Sequence, residues 1–187
     1  LVRSRGLGDV YKRQVNYISP NTGQFESFVH SRFSNSVNGT VIGRFCEDSN
    51  GDVWIASDDG GLNRFSPKNR KFSHYLPLEG KNSLSYHNVH ALCMDDDNLW
   101  IGTYTGGVNV LNLQTGTFKT YSAYQDNPAS LDGTSSYAIF KDRKERIWVT
   151  SMSGVNLYNR EKDNFTRIKY LDALTIDIDQ DLSLIHI

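Results

Sequence analysis

The chain has 187 residues, with 20 Lys and Arg against 21 Asp and Glu, for a formal net charge of −1. That balance, without a basic stripe, argues against a nucleic-acid partner, and no apolar run is long enough for a membrane-spanning helix. Two cysteines cannot build a disulfide scaffold, and 38% hydrophobic with 12% aromatic residues fits a folded, aromatic-rich globular chain.

The first stretch, residues 1–14, and the last, residues 182–187, are expected to derive from a sequencing adapter. Asp9–Gln14 can be encoded as GAT GTG TAT AAG AGA CAG, whose reverse complement translates as Leu-Ser-Leu-Ile-His-Ile, the sequence of Leu182–Ile187. The string also resembles the transposon end used in tagmented libraries. Both segments are set aside from fold reasoning, which makes the remainder an interior piece of a longer protein.

Between them the sequence repeats. Residues 15–40 carry the tail of one unit and a connection, with Asn16 followed nine residues later by Phe25. Three fuller units follow at 41–88, 89–136 and 137–170, and residues 171–181 resemble the opening of another. Trp54, Trp100 and Trp148 stand 46 and 48 residues apart. Asp48, Asp95 and Asp142 open the turn before each Trp. Gly61, Gly107 and Gly154 precede Asn63, Asn109 and Asn156, and nine residues beyond each Asn comes Phe72, Phe118 or Phe165.

Each unit reads as four short strands. Ile42–Glu47 or Val89–Met94 comes first, and a polar turn leads into the Trp-centred second strand. Paired glycines at 60–61 and 106–107 supply positive φ where the chain reverses into the third. A further turn leads into Lys71–Tyr75 or Thr117–Tyr121. Strands of this length, rich in β-branched and aromatic residues and evenly spaced by turns, predict an all-β fold with no helix. Four strands per repeat of this length predict a partial β-propeller: three complete four-stranded blades, with partial blades at each end. The Trp side chains are expected between adjacent blades, and a β-sandwich is the alternative for such a period.

With those residues in view, the repeat closely resembles the two-component regulator propeller repeat, over about residues 15–181. Asn82–Thr103 carries that family's Asn-led opening, strand, Asp turn and Leu-Trp-Ile-Gly-Thr, and Asn127–Leu131 opens the third repeat similarly. Ala56-Ser57, Val149–Ser151 and the singly placed Gly154 depart from the pattern. The resemblance implies the periplasmic sensor propeller of a bacterial two-component receptor in the inner membrane. A histidine kinase would then lie elsewhere in a dimeric parent, with glycan-derived ligands as the signal. Its partners are an oligosaccharide, the remaining blades and neighbouring domains; no cofactor or metal and no catalytic residue is expected.

The residues offer little chemistry of their own. Neither a nucleophile motif, a phosphate loop nor a metal-ligand cluster is apparent. His87 and His90, three apart on an extended chain, point to opposite faces. Cys46 and Cys93 are expected as free, buried thiols. The recurring Asp reads as a turn cap, since a catalytic acid would not be copied into every repeat. In an up-and-down blade, the loops after strands two and four share one face. That face carries Asp58, Asp59, Tyr86, His87, Tyr104 and Tyr124 as candidate ligand-binding residues, an aromatic and carboxylate set suited to sugars. The alternative function is a propeller-based enzyme such as a polysaccharide or lactone lyase, and a third is a scaffold for protein contacts.

Overall fold

The computed structural model describes residues 14–18, 25–32 and 35–168, with side chains from residue 26 onward. The adapter-like segments, other than Gln14, and the expected opening of a further unit at 171–181 lie outside them. The described residues form strands and contain no helix.

A hairpin of β1 (Gln14–Ile18) and β2 (Phe25–Val29) comes first. Three antiparallel four-stranded sheets follow, each in simple chain order. The first blade holds β3 (Ile42–Glu47), β4 (Val53–Ser57), β5 (Gly61–Ser66) and β6 (Lys71–Tyr75). The second holds β7 (Val89–Asp95), β8 (Asn98–Thr103), β9 (Val108–Asn112) and β10 (Phe118–Tyr121). The third holds β11 (Ser136–Lys141), β12 (Ile147–Ser151), β13 (Val155–Asn159) and β14 (Asn164–Ile168). First strands β3, β7 and β11 lie side by side, so the sheets fan outward from them as propeller blades and not as the two faces of a sandwich.

Burial follows strand order. β4, β8 and β12 are buried almost throughout because both faces of a blade's middle are covered, whereas the outer β6 has only exposed and half-buried residues. Trp54 packs with Leu84, Leu99, Ile101 and Leu111 in the first seam between complete blades. One blade on, Trp100 packs with Ile139, Ile147, Val149 and Phe165. Burying such side chains stabilises by roughly 1.5–3 kcal/mol each, which makes these seams the main source of stability. Each first strand also carries a register shift, between Ile42 and Phe45, Val89 and Ala91, and Ser136 and Ala138. A recurring bulge of this kind adds twist where blades converge.

The recurrent Asn is a stitch. Asn63 accepts from the Asn38 amide at 2.7 Å and donates to its carbonyl at 3.1 Å. Asn109 accepts from the Ser85 amide at 3.0 Å, and Asn156 from the Asp132 amide at 3.1 Å. All three are fully buried and fasten the incoming connection to the third strand, satisfying backbone groups that would otherwise be orphaned. A second pair of amides seals the outer edge: Asn35 bonds the Phe72 amide at 2.7 Å, and Asn82 bonds Phe118 through both its amide and its carbonyl at 2.6 Å. Covering a free strand edge this way blocks pairing with foreign strands.

The glycine pairs divide their work differently from the sequence expectation. Only the second of each has positive φ, 74° at Gly61 and 73° at Gly107. The first is needed for closeness: a Cβ on Gly60 would lie 2.2 Å from the Asn38 carbonyl oxygen, and one on Gly106 2.3 Å from Ser85 Oγ.

Candidate functional site

The loops after the second strands and the connections after the fourth meet above the first strands. Register places Gly43, His90 and Tyr137 at the same point of successive first strands, and the ring of His90 stacks on Tyr137 with centroids 5.5 Å apart. Tyr104, from the loop after β8, lies 5.6 Å from the same imidazole. Asp58, from the loop after β4, accepts from His90 Nε2 at 2.7 Å and from Asn88 Nδ2 at 3.1 Å. Three blades therefore contribute to one cluster of a carboxylate, an imidazole and two phenols. Tyr104 is 45% exposed, so the cluster is open to solvent.

Asp58 and Tyr104 of the six sequence candidates meet here. Asp59 does a different job. Its carboxylate accepts from the Thr40 amide at 2.7 Å and hydroxyl at 2.6 Å, from the Val41 amide at 3.2 Å and from Ser57 Oγ at 3.0 Å. Burial acts to raise its pKa, but those four donors outweigh it and hold the group at about 2. Tyr86 and His87 stack on each other at 4.6 Å in the connection 76–88. Tyr124 is 62% exposed, its amide and carbonyl both held by Ser130 Oγ at 2.9 and 3.1 Å.

His90, Tyr137 and Asn88 are the members that the sequence reading did not select. Their signal was the step of 47 residues between His90 and Tyr137. Among the described residues no group of three His, Cys, Asp or Glu could hold a metal ion. Cys46 and Cys93 are free, as expected, but half-buried instead of buried. Burial raises the pKa of both thiols, that of Cys93 up to about 11. Neither is an activated nucleophile.

The opposite face departs from repetition. Asp48 caps its turn as expected, accepting from the Asn50 and Asp52 amides at 2.9 and 3.1 Å, and takes the Trp54 indole N–H at 2.9 Å. Asp142 repeats this with Lys144, Arg146 and Trp148, each at 2.9 Å. Asp95 does not. It forms a bidentate pair with Arg160 of the third blade at 2.7 and 2.8 Å and meets Lys141 at 3.2 Å. The turn-cap expectation fails there because that hairpin has lost a residue.

Sheets that fan from adjoining first strands, with a Trp at each seam, define a β-propeller. The profile of the two component regulator propeller family matches residues 36–59 and 83–105, around Trp54 and Trp100. The histidine kinase P4 of Formosa agariphila is 29% identical over 129 residues, covering 68% of this chain and 9% of that protein. The extracellular domain of the putative one component system BT4673 from B. thetaiotaomicron superposes with a TM-score of 0.65 at 20% identity, over 80% of this chain and 21% of that one. The extracellular domain of the putative hybrid two component system BT3049 from the same organism gives 0.57 at 21% identity, over 83% and 27%. Virginiamycin B lyase from Staphylococcus aureus gives 0.57 at 16% identity, over 84% and 49%. At these identities the solved structures speak for the fold. The chain spans about a tenth of the curated relative and between a fifth and a half of these structures.

Proposed function

We propose that this chain is part of the extracytoplasmic sensor propeller of a two-component receptor and carries no catalysis itself. In this reading the propeller lies in the periplasm, as part of a dimeric inner-membrane receptor, and recognises a glycan-derived ligand. The family profile and the histidine-kinase relative support the receptor assignment. The observation that carries ligand recognition is the Asp58–His90–Tyr104–Tyr137 cluster, because a ligand seated on it touches three blades at once. Aromatic faces stack on sugar rings, and carboxylate and imidazole serve the hydroxyls. Tyr86, His87 and Tyr124 extend the same face, while Asp59 shapes it from beneath.

A lyase would need a general base aimed at substrate, and Asp58 already receives two donors. Calorimetry of the chain against an oligosaccharide panel tests the reading. Binding heat is expected for one glycan, weakened roughly tenfold or more by Tyr104→Ala or His90→Ala. Absence of heat from every glycan would sink ligand recognition, and glycan cleavage during the titration would instead favour the lyase.

A further inference from the structure

The two seams between complete blades differ on the turn face. Opposite Trp54 on the neighbouring strand is Arg64, and opposite Trp100 is Val110. Arg64 lies over the Trp54 ring, 5.4 Å from its centroid, and donates from Nε to Asp52 at 2.8 Å. A crevice of about 60 Å³ remains there. In the second blade the Arg–Asp pair is replaced by Val110 and Asn98, and a cavity of about 320 Å³ opens. Its walls include Trp100, Phe118, Tyr121 and Tyr158, with Asn98 and Asp163 among the polar groups. The Trp100 indole N–H is buried and has no hydrogen-bond partner among the described residues, unlike those of Trp54 and Trp148.

Charge narrows the occupant. Asp95 is paired with Arg160, and Asp163 with Lys119, so the lining is neutral as it stands. A charged guest would leave an uncompensated charge in a half-enclosed space, which is costly. Aromatic walls, an amide and a carboxylate favour a compact ring bearing hydroxyl groups. The volume lies at the low end of the roughly 300–1,000 Å³ usual for ligand pockets.

We infer that the cavity between the second and third blades is a second binding site, for an uncharged polyhydroxylated ring the size of one monosaccharide. It shares a ligand class with the loop-face cluster but no residue, and neither site needs the other. The probes are glucose, galactose, mannose and arabinose, added singly to the full chain labelled with ¹⁵N at its tryptophans, with acetate as a charged control. The indole signals are assigned from single Trp→Phe variants.

At least one sugar is expected to shift the Trp100 indole signal while leaving those of Trp54 and Trp148 in place. Asn98→Asp with Val110→Arg rebuilds the pair found in the first blade and should weaken that response roughly tenfold or more, whereas Tyr104→Ala should leave it unchanged. Unmoved Trp54 and Trp148 signals certify that the variant is folded; Val110→Phe fills the cavity by a second route if it is not. Failure of every sugar to move Trp100, an undiminished response in both filled variants, or a response to acetate alone overturns the assignment.

Discussion

Trp54 and Trp100 occupy the same place in successive blades, and both are buried against the next blade. Their polar surroundings have diverged. Around Trp54, a turn with Gly51 at φ 80° lets Asp48 cap two amides and hold the indole. Around Trp100, Asp95 pairs directly with Asn98, and the turn is reduced to Asp96 and Asp97, with Asp96 at φ 52°. The displaced carboxylate reaches across the seam to Arg160 and Lys141. Apolar burial is thus the property that the repeat keeps. The hydrogen bonding around it is local and can be traded for an ion pair between blades.

The largest test of that separation is Trp54→Ala beside Trp100→Ala. Both should destabilise the chain by about 3–5 kcal/mol, because each empties a seam whatever its polar dressing. Chemical denaturation reads the two losses. A Trp100 variant costing less than half as much would mean that the hydrogen bond, and not burial, carries the energy.

Removing the carboxylates should separate the blades. Asp48→Ala abandons a buried indole N–H and two turn amides and should cost about 2–3 kcal/mol. Asp95→Ala leaves Arg160, which is half exposed and can return to water, so its cost should be smaller, about 1–2 kcal/mol. A double-mutant cycle sharpens this further. Asp95 should couple to Arg160 across the seam, whereas Asp48 should couple to Trp54 within its own blade. Equal coupling of both carboxylates to their own Trp would erase the contrast drawn between the blades.

The fold was legible because Trp, Gly, Asn and Phe recur at the period of a four-stranded unit. The site was half legible. Loop parity put Asp58 and Tyr104 on one face, but Asp59 could not be told from them without knowing that Thr40 and Val41 fold beneath it. His90 stood out in the sequence only as one of two histidines pointing to opposite faces, since its partners Asp58 and Tyr137 come from other blades. Asp95 was misread for the same reason: Arg160 lies 65 residues away in sequence. Local patterns predict contacts inside a blade, whereas the contacts that set blades apart run between them.

The smallest effect concerns acid. At the second seam Asp163 of the third blade accepts from Lys119 and Tyr121 of the second, and from its own blade's Tyr158 at 2.7 Å. Burial acts to raise its pKa, but these donors hold it at about 2, below the usual 3.8. Because the folded-state value is depressed, its contribution is fully present above about pH 4 and is lost as pH falls toward 2. The side chain is 45% exposed, so solvent screening limits the amount to about 1 kcal/mol or less. Asp163→Asn isolates the charge, since Asn tolerates the positive φ of 53° found there. The gap in thermal midpoint between parent and variant should be open at pH 6 and close between pH 4 and 2. A gap that stays constant over that range would mean that the ionised carboxylate contributes nothing, leaving apolar contacts and the Asp95 pair to hold the second seam.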